Sequence, residues 1–142
     1  MRSAANAAQR RAARLAALTF FLDHQIGRYV VADQLKAAGA SVEVHLDHFA
    51  GDAPDTGWIP EIGRKGWVLI TKDKNIRRNP LERAAYERAG LRGFVSTGHD
   101  LSGKELGELL VRSLEGMVRR AHNRRGPLLY AISSNGVFSR LI

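Results

Sequence analysis

Two short runs, Phe20-Phe21-Leu22 and Trp67-Val68-Leu69-Ile70, contain no polar residue and stop abruptly, the first at Asp23 and the second at Thr71. A strand with one wet face alternates apolar and polar residues. An unbroken apolar run of this length fits a strand covered on both faces, which is the pattern of a parallel sheet between helices. The stretches around these runs agree. Residues 41–46 (SVEVHL) alternate and read as a second strand, and residues 92–97 (RGFVST) as a fourth, after the third at 67–71. Between the first two, Val31, Leu35 and Ala38 recur at helical spacing before Gly39. A short helix is expected from about Pro54 towards Arg64, opposed by Gly57 and Pro60. Asn79 as N-cap, Pro80 at the first helical position and Gly90 at the stop predict another helix over 79–90.

Leu106, Leu110, Leu114, Met117, Val118 and Ala121 keep one face apolar, predicting a single long helix from about Gly103 to Asn123. Gly126-Pro127 ends it. Residues 128–133 and 137–142 flank Ser134-Asn135-Gly136, a hairpin signal. Strands alternating with helices imply an α/β fold: a central parallel sheet of about four strands flanked by helices, closed by a C-terminal β-hairpin. The expected organisation is a basic extension over residues 1–17, helical or disordered, a domain over 18–126, and the hairpin, 127–142, packed on it. At 142 residues the chain suits one core.

Charge is unevenly spread. Residues 23–63 hold seven acids against Arg28 and Lys36, a net of −5. Residues 64–92 hold nine cations against three acids, a net of +6, and residues 112–125 add five arginines against Glu115. A surface of net +8 with a local concentration of acids points to a polyanion, nucleic acid above all, as partner. The lesser reading is an ordinary basic protein that binds nothing through this charge. With no cysteine, disulfides, thiolate zinc sites and cysteine nucleophiles are excluded. No apolar stretch is long enough to span a membrane, and a cytoplasmic location is expected.

In a parallel sheet Asp23 and Asp73 leave strands one and three at the same edge, where ligands of open α/β sheets bind. Each has a structural reading beside a functional one. Asp23 can cap the helix that follows it. Asp55 can be the N-cap of its own helix, and Asp73 a turn former before Asn75. Gathered together, three carboxylates repel and need protons or a shared cation. Hard oxygen ligands suit Mg²⁺, or Mn²⁺ in its place.

The segments FFLDHQIG (20–27), APDTGWI (53–59) and LITKDKNIRRNP (69–80) resemble the PIN-like domains, in particular the VapC-type toxins of toxin–antitoxin pairs. The resemblance covers roughly residues 18–97, and its third segment is the most specific. It implies a PIN-like fold with a magnesium-dependent ribonuclease site in which Asp23, Asp55 and Asp73 are the metal-binding, catalytic acids and Thr71 supports them. It also implies an RNA substrate and a cognate antitoxin protein as partners, with a homodimer open. The chain departs from the pattern after Asp55, where Thr56 and Gly57 stand in place of further acids. That leaves a fourth ligand unassigned, with Asp52 or Asp100 as substitutes. A PIN-like module that binds nucleic acid or an antitoxin without cleaving is the alternative.

Lys72, Lys74, Arg77 and Arg78 are the expected phosphate-binding rim, helped by the helix start at Asn79. A purely solubilising face is the plainer reading. His24 beside Asp23 is a candidate proton donor or a bystander. His45, Asp47 and His48 lack a third spaced ligand for zinc and read as strand-end residues. Trp58, in an expected loop region, is a candidate base-stacking residue, whereas Trp67 reads as packing.

Overall fold

The structure, a computed structural model, describes residues 2–98 and 100–142; Met1, the first residue of the expected extension, lies outside them. Six strands form one sheet: β1 (Thr19–Leu22), β2 (Ser41–Val44), β3 (Val68–Thr71), β4 (Arg92–Ser96), β5 (Leu128–Ile132) and β6 (Phe138–Arg140). Their order is β2-β1-β3-β4-β5-β6. All neighbours pair parallel except β5 and β6. The sheet has five parallel strands rather than four because the first arm of the hairpin, β5, pairs with β4 in register Arg92↔Leu128 to Ser96↔Ile132. The hairpin thus extends the sheet itself, turning through Asn135-Gly136 with Gly136 at φ 78°.

Alternation along each strand feeds two cores. Phe20, Leu22, Val68, Ile70, Phe94 and Ile132 face one side. There they meet α2 (Val30–Ala37), α6 (Gly103–Arg112) and α7 (Leu114–Ala121), with Leu15 of α1 (Arg2–Ala16) against them. Phe21, Leu69, Val95 and Leu129 face the other side. There they meet α3 (Asp55–Lys65), α4 (Asn75–Arg78) and α5 (Pro80–Ala89). Both faces of β1 and β3 are therefore dry, which is why their runs carry no polar residue. No helix among the described residues is long and apolar enough to cross a membrane.

The single helix expected over 103–123 is two, α6 and α7, parted at Ser113, whose φ of −92° and ψ of −2° depart from the helical ideal. Both halves still bury their apolar faces in the same core. Residues 75–78, for which the sequence pattern gives no element, close as the short α4, whose Ile76 is buried. The start of α5 follows its sequence signals. Asn79 Oδ1 accepts from the amides of Leu81 (3.0 Å) and Glu82 (3.3 Å). At its end Gly90 adopts φ 63°.

Candidate metal centre

Strand order fixes the place of the site. From β1 the chain crosses to β2 on one side, and β3 lies on the other, so the crevice at the carboxyl ends of β1 and β3 is the topological switch point. Asp23 is the first residue beyond β1, and its amide donates to the Ile70 carbonyl of β3 (3.2 Å). Asp73 stands two residues beyond β3.

Thr71 ties the two together. Its hydroxyl donates to Asp23 Oδ2 and accepts from the Asp73 amide at 3.0 Å. Asp23 Oδ1 in turn caps the short 3₁₀ turn His24–Ile26, accepting from the Gln25 amide at 3.0 Å. Asp23 is only 4% exposed. Burial, reinforced by the nearby Asp73 and countered by the Thr71 and Gln25 hydrogen bonds and by His24, pushes its pKa up from 3.8 to about 6.

The opposite wall comes from α3 and α5. Asp55 is the first residue of α3, not its cap, since Pro54 holds the cap position. Its Oδ1 accepts from Trp58 Nε1 at 3.0 Å. Trp58 is 2% exposed, so it is a buried partner of Asp55 and no platform for a base. Asp73 Oδ1 accepts from the Asn75 amide at 2.9 Å, closing the turn into α4. Glu82, in the first turn of α5, completes the group. Asp55, Asp73 and Glu82 each offer a carboxylate oxygen within 4.8 Å of the other two. Glu82 Oε2 is shielded from solvent with no hydrogen-bond partner. Burial first, then Asp55 and Asp73, raises the Glu82 pKa from 4.5 to about 7.

The structure thus joins two of the expected acids, Asp55 and Asp73, with Glu82, which sequence reasoning did not single out. Asp23 lies outside that close triplet and is joined to it through Thr71. Asp52 is exposed in the turn before α3 and, like exposed Asp100, is not among the carboxylates that cluster. A divalent cation fits the donor set. The ligands are hard oxygens, one of them buried and unpartnered, and their spread of no more than 4.8 Å is near the roughly 4.2 Å that opposite ligands of one Mg²⁺ ion span.

Next to Asp73 in the chain, Lys74, Arg77 and Arg78 line a cleft of about 240 Å³ with Thr97 and residues of β4 and β5, a cleft that none of the four acids lines, whereas Lys72 stands exposed outside it. None of the four cations forms an ion pair among the described residues. Asn79 already occupies two of the first amides of α5, so the rim's attraction for anions rests on side chains rather than on that helix end. His24 is exposed, its ring centroid 5.2 Å from that of His45. His45 is buried among Phe21, Phe49 and Trp58, and burial lowers its pKa. His48 bonds Glu43 at 3.1 Å, and Trp67 stacks on Phe21.

The chain belongs to the PIN-like domains: the family model described as PIN like domain matches residues 18–98. A curated relative is the Mycobacterium tuberculosis protein named "Putative ribonuclease VapC45", 29% identical over 116 residues, which cover 79% of this chain and 83% of that protein. No solved structure matches the chain.

Proposed function

We propose that the chain is a divalent-cation-dependent endoribonuclease, the toxin of a type II toxin–antitoxin pair acting in the cytoplasm. The observation that carries this reading is the convergence of Asp55, Asp73 and Glu82, with Asp23 bridged to them by Thr71. Asp55, Asp73 and Glu82 would hold Mg²⁺ or Mn²⁺, with Asp23 beside them. When bound, such an ion polarises a phosphoryl oxygen and makes a water more acidic, which is the chemistry that phosphodiester hydrolysis requires. The chain's own residues do the rest. Trp58 fixes the Asp55 carboxylate, and Thr71 fixes Asp23 while anchoring the Asp73 backbone. Lys74, Arg77 and Arg78, with Lys72 further out, hold the RNA backbone along the rim. The name of the Mycobacterium tuberculosis relative supports ribonuclease action, and the resemblance to VapC-type toxins supports an antitoxin as partner.

Glu82 speaks against a decayed site, since it offers a fourth acid from α5 where the residues after Asp55 offer none. The test is cleavage of single-stranded RNA by purified protein with Mg²⁺ or Mn²⁺, set against EDTA and against Asp73→Asn and Glu82→Gln. Loss of cleavage in EDTA and in both variants is expected. Undiminished cleavage by both variants refutes the reading, and salt-dependent binding without turnover points to a binding module.

A further inference from the structure

A second cationic cleft lies at the other end of the sheet. It has a volume of about 500 Å³ and is lined by His122, Asn123, Arg124, Arg125, Tyr130 and Arg140, with Leu128. No acidic side chain lines it, and among the described residues neither Arg124 nor Arg125 pairs with a carboxylate. The fold gathers these residues from two places. After α7 the chain turns sharply, with Asn123 at φ 55° and the Arg124 amide donating to the Ala121 carbonyl (3.3 Å). That turn presents Arg124 and Arg125 to solvent at the amino end of β5. Arg140 arrives from the edge strand β6, directly opposite Tyr130 in register. Its Nε donates to the Ile142 carbonyl oxygen at 2.9 Å, and its guanidinium lies 5.8 Å from the Tyr130 ring centre. The Tyr130 ring is half-buried at the floor, where Arg120 also approaches it.

We propose that this cleft is a second binding site for the backbone of single-stranded RNA, separate from the acid-lined crevice. The arginines give phosphates a countercharge, and the planes of their exposed guanidinium groups give bases a stacking surface. A simple acidic peptide would use only the first. The inference rests on the ribonuclease reading for its purpose: a long substrate is held here while its scissile linkage lies at Asp73. Five strand residues at about 3.3 Å and two strand spacings of about 4.8 Å put the cleft roughly 20 Å from the crevice. Stacked nucleotides advance about 3.4 Å each, so at least about six, and more along the surface between opposite ends of the sheet, are needed to bridge the two sites.

The experiment measures binding in EDTA, where no cleavage is needed, so its outcome is independent of activity. RNAs of about four and about twenty nucleotides are titrated by fluorescence anisotropy over a range of salt. The proteins are wild type, the triple variant Arg124→Gln, Arg125→Gln, Arg140→Gln, and a charge-matched control, Lys36→Gln, Arg88→Gln, Lys104→Gln. Circular dichroism checks the folding of each. The triple variant should bind the long RNA roughly tenfold more weakly, with a salt slope smaller by about 2, three contacts at about 0.7 each. It should bind the short RNA like the wild type, and the control should retain long-RNA binding. Arginine-to-lysine replacement at the same three positions should restore most of the affinity. An unchanged affinity and slope for the long RNA overturns the proposal. So does an equal loss for both RNAs, or an equal loss in the control.

Discussion

Asp23→Asn turns the burial of a carboxyl into a measurable pH dependence. The Asp23 pKa is raised from 3.8 to about 6 because burial disfavours its charge. A raised acid binds its proton more tightly when folded. Its contribution to stability is therefore fully present below the unfolded pKa and is lost as pH rises through about 6. The full swing is about 3 kcal/mol at about 1.4 kcal/mol per pH unit, and roughly 2 kcal/mol of it falls between about pH 4.5 and about pH 7.5. Asparagine does not titrate, so the wild type should lose about 2 kcal/mol relative to the variant over that window. Urea unfolding in EDTA at several pH values reads the difference, whatever constant offset comes from the altered hydrogen bonds to Thr71 and Gln25. Saturating Mn²⁺ should flatten the wild-type curve, because a bound cation favours ionised carboxylates and stabilises the native state by mass action. Parallel wild-type and variant curves in EDTA would refute the assignment of Asp23 as a desolvated acid.

Four further outcomes follow from the same geometry. Glu82→Gln should weaken Mn²⁺ binding by about tenfold or more by titration calorimetry. Wild-type affinity should rise as pH climbs through about 7, since the Glu82 proton competes with the ion. Trp58→Phe keeps most of the buried ring but frees Asp55 Oδ1, and should cost about 1 kcal/mol in denaturant melts. Gly93→Ala should cost about 1–3 kcal/mol, because a Cβ there would lie 2.6 Å from the Tyr86 hydroxyl and 3.3 Å from Leu69.

The strands were legible because two-sided burial writes itself directly into composition: no polar residue fits between Phe20 and Leu22. The limits of α5 were legible because Asn79, Pro80 and Gly90 act locally. Tertiary distances were not. A glutamate in a helix's first turn reads equally as a partner of the dipole or as part of a capping box. What turns Glu82 into a neighbour of Asp55 is the packing of α5 on α3. At Gly63 the two helices come so close that a Cβ would sit 2.9 Å from Ala89. Trp58 was misplaced for a similar reason. Gly57 and Pro60 suggested a weak helix, whereas the core contacts of Trp58, Ile59 and Ile62 hold α3 together. The break at Ser113 was hidden because the apolar spacing continues across it.

The bridge from Thr71 to Asp23 joins residues 48 apart in the chain. Asp55 and Glu82 reach the same crevice from two further segments, so no local peptide carries the ligand set. An emerging or partly unfolded chain has four scattered acids and nothing that would grip a cation. On the proposed reading, cation capture would require long-range assembly of the sheet, so binding of the ion would report correct folding and incomplete chains would leave RNA uncut.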